Sequence, residues 1–296
     1  IRILEKQADV NSAARYLAIL RKTITNRITN RIPQPASAIA AALLVGDTSA
    51  ISQSDFDAMR IAGIAHLLAI SGMHMAIVVS ILFLSTRYLL ALSSLLALKY
   101  NLKKIAALVA LFGSFFYLII AGSPVSAQRA FLMSALVLLA MILDRNATPM
   151  RGIAIAGIIV LLISPESIMS ASLHMSFAAC IALIAAFDKA KTWFITDIKS
   201  RHWLKKILLY FAAIMFSTLV AGFATAPFVI YHFNQFSTYS LLANLASIPL
   251  NDFLIMPCGV LSLALMPFGL EAIALIPMQW GINCILEYAK YISTLP

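Results

Sequence analysis

Charged side chains are scarce in this chain of 296 residues, in which Asp, Glu, Lys and Arg make up 11% of the total. Soluble domains carry about 25%. Hydrophobic residues make up 61%, and a soluble domain of this length has too little interior to bury so much apolar surface. The composition therefore excludes a soluble globular domain, a disordered chain and a collagen-like fibre, and it predicts an integral membrane protein.

Cysteine is also scarce, which excludes a disulfide scaffold. Cys180, Cys258 and Cys284 lie in apolar runs and form no CxxC motif, so packing is their expected role. The sequence has no HExxH motif, no zinc-type Cys/His spacing and no nucleotide-binding loop. We therefore predict no cofactor and no metal, and any ATP-driven pulling would have to come from a partner protein.

Acidic residues are outnumbered, with 12 acidic against 22 basic residues and a net charge of +10. The basic excess falls on every second connector, near 99–104, 145–151 and 189–206, whereas the connectors near 122–128, 165–170 and 232–238 have almost none. By the positive-inside rule the basic connectors are cytoplasmic, and counting forward then places the C-terminus outside. The surplus also suits anionic lipid headgroups or a polyanionic substrate.

Two parts of the chain are predicted. Residues 1–35 form a basic amphipathic helix and linker, because Ala13, Leu17, Leu20, Ile24 and Ile28 recur at spacings of three and four. This helix is too polar to span a membrane and should lie on its surface or on the protein. Residues 36–296 form a polytopic transmembrane domain of about eight spans, with short re-entrant or interfacial segments. The predicted fold class is all-α, a polytopic helix bundle with a broken or re-entrant helix and an N-terminal interfacial helix.

The most informative segment is the apolar run 61–84, which His66, Ser71, Gly72 and His74 interrupt. Polar groups at membrane depth are costly and need partners. Ser71-Gly72 is a plausible helix break, since glycine tolerates unusual backbone angles, and freed backbone groups require protein or a water-filled cavity beside them. The segment therefore favours a hydrophilic pathway, although a histidine that bridges two helices is the structural alternative.

Further polar residues lie in other apolar segments. Arg129 opens a long apolar helix, where its guanidinium suits phosphate at a pathway mouth or snorkels to the interface. His174 and Ser176 lie within another span. Asn244 precedes Pro249, and helix–helix hydrogen bonding is the ordinary role of such an Asn.

These residues resemble the signature of the ComEC-type competence channels, which pass single-stranded DNA across the bacterial inner membrane during natural transformation. The long string from Ala65 to His74 carries most of the resemblance, together with Gly46-Asp47. Shorter matching pieces are Gly122 and Pro124 with Arg129, Ser176-Phe177, and Asn244 with Pro249. The chain departs from the family pattern at Thr48, where Arg is common, and at His174, where Gln is common.

The resemblance implies an inner-membrane, multi-pass channel portion that is not an enzyme, because neither a nuclease domain nor an OB-like domain is evident. It implies single-stranded DNA, the lipid bilayer, a DNA receptor and a cytoplasmic motor as partners. Basic residues of the N-terminal helix, with Arg60 and Arg129, would gather phosphate at an outer funnel. The expected DNA path comprises His66, Ser71, Gly72, His74, Arg129, His174, Ser176 and Asn244. The expected motif or structural positions are Gly46, Asp47, Arg60, Gly122, Pro124, Phe177 and Pro249.

Two other functions stay open. A proton-coupled small-solute transporter would need an acidic residue deep in a span, and the candidates Asp47 and Asp252 lie near segment ends. An intramembrane serine protease would pair Ser71 with a histidine on another helix, such as His174. A zinc site formed by His66, His74 and His174 has no supporting motif.

Overall fold

The computed structural model describes residues 2–145, 148–198, 203–234 and 239–295, and within these ranges the chain is helical with no β-strand. The α-helices of the described residues are α1 (Arg2–Arg31), α2 (Ala36–Val45), α3 (Gln53–Ile61), α4 (Gly72–Ala91), α5 (Ser94–Lys99), α6 (Leu102–Ile120), α7 (Val125–Ile142), α8 (Pro149–Ile163), α9 (Ala171–Ile198), α10 (Trp203–Phe233), α11 (Ser240–Leu250), α12 (Met256–Leu265) and α13 (Ala272–Ser293). Of the basic residues in the 189–206 connector, Lys199 and Arg201 lie outside the described residues.

Six helical segments of the described residues are long and apolar enough to cross a membrane: Gly72–Ala91, Leu102–Ile120, Val125–Ile142, Ala171–Ala190, Lys206–His232 and Ser240–Phe268. They confirm the predicted all-α polytopic bundle. The predicted count of about eight spans also included α8 and α13. Helix α8 has only 15 residues, and α13 carries Gln279, Asn283 and Glu287 along its length. The count of eight therefore stays a prediction.

The main core lies among α1, α2, α3 and α13. Every residue of α2 is buried, as expected of a ten-residue apolar helix that is too short to span and is covered by neighbours instead. Ile24, Ile28 and Ile32 recur every four residues along α1 and pack into the same cluster. The second half of the predicted interfacial helix is thus part of the domain core.

Three arginines of α1, Arg21, Arg27 and Arg31, are bonded to other parts of the protein. This corrects the expectation that they are free to gather phosphate. Arg21 donates to the carbonyls of Ile119 (Nη2, 2.6 Å) and Ile120 (Nε, 3.0 Å) in the last turn of α6. Arg27 donates to the Met266 carbonyl, and the Nε atoms of Arg27 and Arg31 lie 3.8 Å and 3.3 Å from the Glu271 carboxylate. Arg15, Lys22 and Arg60 have exposed side chains.

The other end of α13 is tied to α3. Lys290 Nζ lies 2.6 Å from the buried Asp55 carboxylate, and Ser52 Oγ donates to that carboxylate at 2.6 Å. Burial alone would raise the pKa of Asp55, but the Lys290 ammonium and the Ser52 hydroxyl outweigh it and lower that pKa. Ser52 is also the N-cap of α3 and accepts from the Asp55 N–H at 3.1 Å.

Helices α9 and α10 pack mainly against each other and stand apart from this core. Only 6% of the spanning window of each is buried. An apolar cleft of about 430 Å³ lies between α8 and α9, lined by residues that include Ile153, Gly157 and Phe177. The exposed side chains of α9 and α10 are mostly apolar, as expected of helices that face lipid.

Candidate functional site

The predicted helix break is a helix start. Helix α3 ends at Ile61, a short 3-10 turn covers Ala65–Leu67, and α4 begins at Gly72 with Ser71 as its N-cap residue. The expectation of a helix kinked at Ser71-Gly72 is therefore corrected, because the irregular backbone precedes Ser71. A Cβ atom at Gly72 would meet no other group within 4 Å. Close packing is thus not what requires glycine there.

His74 is buried at this helix start, with 0% of its surface exposed. Its Nδ1 accepts the Ser71 N–H at 3.1 Å and lies 3.4 Å from Ser71 Oγ. Its Nε2 lies 3.4 Å from Asn251 Nδ2, on a segment 177 residues further along the chain. His74 therefore joins the start of α4 to the α11–α12 segment.

Asn251 is a site residue that the sequence analysis missed. It is buried, with 1% exposed, and it begins a π-helical turn, Asn251–Ile255, between α11 and α12. Such turns are rare and frequently lie at functional sites. The sequence does contain an indication of this site, because Asn251-Asp252 is a pair of polar residues in the apolar run around Pro249.

His66 lies near His74 but in a different environment. Its side chain is exposed to solvent, yet protein atoms surround the imidazole and lower its pKa by desolvation. Solvent exposure and partial desolvation occur together when a ring lines a recess in the protein. The structure thus places a solvent-reachable imidazole beside the buried one.

Arg129 is buried on α7 with 2% exposed, so it does not snorkel. Its Nη2 donates to the Ser172 carbonyl at 2.8 Å and contacts Ser172 Oγ at 3.2 Å, at the start of α9. Its Nε and Nη1 have no hydrogen-bond partner among the described residues, and no carboxylate there lies within 4.0 Å of it. The guanidinium is therefore a buried cation with two free donors.

A buried polar stripe runs along α11 toward His74. Asn244, Ser247 and Asn251 follow each other at spacings of three and four and share one helix face. Asn244 is 6% and Ser247 0% exposed, and the oxygens Asn244 Oδ1 and Ser247 Oγ have no partner among the described side chains and backbone. Pro249 lies within the same helix.

His174 belongs to a separate aromatic stack on α9 and α10. Its ring centroid lies 5.3 Å from that of Phe228 and 6.1 Å from that of His232. Within the described chain, no contact joins it to Ser71. Ser176 is partly buried on the same helix, and a Cβ atom at Gly157 would lie 3.1 Å from the Phe177 ring.

Two motif pieces distant in sequence meet at the end of α6. A Cβ atom at Gly46 would lie 2.5 Å from the Ala121 carbonyl oxygen and 3.8 Å from Ile70. The Ser126 hydroxyl donates to the Ile70 carbonyl at 3.0 Å. Helix α7 begins directly after Pro124. The strings around Gly46, Ile70 and Gly122 thus form one contact region.

Asp47 and Gly122 complete this region. The Asp47 Oδ1 atom accepts from the Ser49 N–H and hydroxyl at 3.1 Å and 2.6 Å, which closes the turn after α2. A Cβ atom at Gly122, whose φ is +87°, would lie 3.7 Å from Arg21 Nη1. In the part of the chain that the structure describes, no three His, Cys, Asp or Glu side chains come together as a metal site.

Known proteins share this sequence pattern. The sequence profile of the Competence protein family matches residues 43–296. The chain is 29% identical over 252 residues to "ComE operon protein 3" of Bacillus subtilis (strain 168), covering 83% of this chain and 29% of that protein. It is 30% identical over 250 residues to "Competence protein ComA" of Neisseria gonorrhoeae, covering 83% of this chain and 32% of that protein.

The chain spans about a third of the length of the curated relatives it matches. No solved structure matches it. The family profile covers all of the elements that build the site, from the end of α2 to α13. The chain is a multi-pass helical membrane protein, and it belongs to the Competence protein family.

Proposed function

We propose that this chain is a channel portion that conducts single-stranded DNA across the bacterial inner membrane into the cytoplasm during natural transformation. The proposed path includes His66, Ser71, Gly72, His74, Arg129, His174, Ser176 and Asn244. The DNA-uptake setting is supported by the family. The observation that carries the conducting role is the environment of Arg129.

Burying an unpaired charge costs several kcal/mol, on the order of 3–5 when a buried pair loses one member. Arg129 is buried, its Nε and Nη1 donors are free among the described residues, and no carboxylate there balances it. A passing phosphate would supply both the missing negative charge and acceptors that match the guanidinium fork. The Nη2 bonds to Ser172 would hold that fork in place meanwhile.

The region at the start of α4 supports the same proposal. His66 lines a recess, His74 is buried beside it, and Asn244 and Ser247 carry buried oxygens without described partners. Polar groups of this kind in an apolar bundle are tolerated where water or a polar substrate reaches them. A polyanion that crosses a bilayer needs such polar walls in place of its hydration.

The remaining partners follow from the same proposal. The lipid bilayer surrounds the chain, and a receptor would deliver the strand from outside. The sequence has no nucleotide-binding loop, so a cytoplasmic motor would supply any ATP-driven pulling. A role for Arg60 and the exposed Arg15 and Lys22 in gathering phosphate belongs to this proposal as well.

The test replaces Arg129 in the full protein of a naturally transformable host. We expect Arg129→Gln to reduce uptake of labelled single-stranded DNA about tenfold or more, as expected for one lost charge-assisted contact of ~1.5–3 kcal/mol. Arg129→Lys should retain part of the activity, because it keeps the charge and loses the fork.

The matched control is Arg151→Gln on α8, which removes an exposed arginine and should stay within about twofold, because exposed charges contribute little. Immunoblots of membrane fractions establish equal protein levels. Unchanged uptake in Arg129→Gln at equal protein level would refute the role of Arg129 in conduction.

A further inference from the structure

The hydrogen bonds around His74 are incompatible with a single fixed set of protons. One atom of the Asn251 amide lies 3.4 Å from His74 Nε2 and 3.1 Å from Asp252 Oδ1. On the other side of the ring, His74 Nδ1 faces the Ser71 N–H at 3.1 Å, and the Ala69 carbonyl is also within hydrogen-bonding reach of the imidazole. The same amide atom must therefore satisfy both a histidine and a carboxyl group.

With Asp252 ionised, the amide must present its NH₂ group, because a carboxylate only accepts. The NH₂ donates to Asp252 and also to His74 Nε2, which must then carry a lone pair. A neutral imidazole with a lone pair on Nε2 has its proton on Nδ1. The Ala69 carbonyl is the backbone acceptor available to that proton, and the Ser71 N–H loses its acceptor.

With Asp252 protonated, the amide can rotate by half a turn and present its oxygen. This oxygen accepts from the Asp252 hydroxyl and from His74 Nε2–H. His74 Nδ1 is then free of a proton and accepts the Ser71 N–H, as the 3.1 Å contact requires. In this state the contacts of the ring with Ser71 and Asn251 each have one donor and one acceptor, whereas the Ala69 carbonyl loses its imidazole proton.

We propose that His74, Asn251 and Asp252 form a proton-binding site, in which the proton on Asp252 selects the orientation of the Asn251 amide and thereby the tautomer of His74. The ligand is a proton. Conversion to the protonated state places one proton on Asp252 and one on His74 Nε2. The proton on His74 Nδ1 is released to water in the recess that His66 lines. The site therefore gains one proton overall. Asn251 is a positioning residue, since it acts through its two neighbours.

The surroundings suit such a site. Tyr210 of α10 is a neighbouring titratable group on which the Asp252 charge acts, and His66 acts on His74 from the recess. Helix α13 packs on the turn through Gly281, where a Cβ atom would lie 2.9 Å from Ile255. The π-helical geometry of Asn251–Ile255 places Asn251 and Asp252 at the junction of α11 and α12.

The consequence for DNA movement rests on the proposed function. When the His74 tautomer changes, the Ser71 N–H and the Ala69 carbonyl at the start of α4 lose or gain their hydrogen bond with the imidazole. Proton binding is thereby coupled to backbone that lines the proposed path. Proton binding itself does not depend on DNA, and it is tested without DNA.

The test measures the His74 tautomer by solid-state NMR on ¹⁵N-histidine-labelled full chain in lipid bilayers, with the His74 signal assigned by its loss in His74→Gln. We expect the proton to move from Nδ1 to Nε2 as pH falls, and an infrared carboxylic-acid band to rise with the same midpoint. In wild type, different midpoints for the two signals, or one unchanging tautomer, would overturn the proposal without need of any further variant.

Asp252→Asn should abolish the infrared band and hold His74 in one tautomer at every pH, because no titratable group remains at position 252. Asp57→Asn, which alters a partly exposed acid on α3, should leave both signals unchanged. A His74 tautomer that still switches in Asp252→Asn sinks the idea. The two proposals fail separately. Unchanged DNA uptake in Arg129→Gln would contradict the proposed conduction. Reduced uptake in Arg129→Gln together with a His74 tautomer that does not change with pH would contradict the proton-binding site alone.

Discussion

Two regions of this bundle are built from similar apolar sequences and packed in different ways. Helix α2 is buried at every position, and α13 presents a buried residue at almost every turn. The spanning windows of α9 and α10 are only 6% buried. The polar residues follow the same division, since ion pairs fix α13 to α1 and α3, whereas α9 and α10 meet through rings such as His174 and Phe228.

The difference shows that hydrophobicity alone does not determine what covers a membrane helix. Lipid tails are as apolar as a protein core, so an apolar helix gains little by leaving one for the other, and close packing and polar contacts decide. The α1–α2–α3–α13 region has both, with glycines at close approaches and ion pairs to buried carboxylates. Three predictions test this contrast, from the largest expected effect to the smallest.

The largest effect is expected at Gly46. Its φ is +74°, and a Cβ atom would lie 2.5 Å from the Ala121 carbonyl oxygen. The left-handed conformation alone costs roughly 1–2 kcal/mol for other residues, and the contact adds a steric clash. Gly46→Ala should lower the yield of folded protein, measured by size-exclusion chromatography in detergent. Gly222→Ala on α10, where a Cβ meets nothing within 4 Å, should not; equal losses in both would contradict the contrast.

A smaller effect is expected from large-to-small replacements. Met278 on α13 is fully buried and lies against Gly259 of α12. Met278→Ala should destabilise the protein by ~2–5 kcal/mol, because it removes buried surface and leaves a cavity. Ile158→Ala on α8, where the side chain is 60% exposed, should cost within about 0.5 kcal/mol. Unfolding of both variants in mixed micelles with SDS measures the difference, and similar values would mean that α8 is covered by something else.

The smallest effect concerns pH. The pKa of Asp55 is lowered in the folded protein from 3.8 by the Lys290 ammonium and the Ser52 hydroxyl, against the effect of burial. A lowered folded pKa means that the contribution to stability is complete above the unfolded value and is lost as pH falls through the folded value. Wild type should therefore be more stable than Asp55→Asn near pH 7, with the difference shrinking below about pH 4.

Thermal unfolding followed by tryptophan fluorescence measures this difference, and Asp57→Asn, at a partly exposed acid of the same helix, is the control. A difference between wild type and Asp55→Asn that persists unchanged at pH 3 would show that the ion pair is not its source.

Much of the fold follows from the sequence because apolar run length and helix length are tied by membrane thickness. The apolar runs 105–121 and 207–231 predict spans, and α6 and α10 cover them apart from residue 121. The apolar run 36–45 is too short to span, and the structure buries all of it. The start of α4 was placed at the right residues, although as a kink, because serine and glycine indicate a break without showing which side of it is helical.

The site was less predictable because its contacts are long-range. Asn251 faces His74 across 177 residues of chain, and its position depends on a π-helical turn that no local pattern indicates. Arg21, Arg27 and Arg31 are the kind of side chains that bind phosphate. In the structure they bond instead to carbonyls of α6 and to a carbonyl and a carboxylate between α12 and α13. The sequence left two positions open for Arg129, at a pathway mouth or snorkelling to the interface, and only the position of Ser172 shows why it stays inside.

Helix α13 packs against α1, α2 and α3, which leave the ribosome before it. The isoleucine row of α1 and the whole of α2 therefore lack their cover until more than two hundred further residues have been made. During synthesis these early helices must be sheltered by the insertion machinery or by lipid, and the Glu271 carboxylate reaches its arginines only at the end. Packing of the core around α1, α2 and α3 is in this sense completed only when α13 has been made, so translation that stops before α13 leaves these helices uncovered.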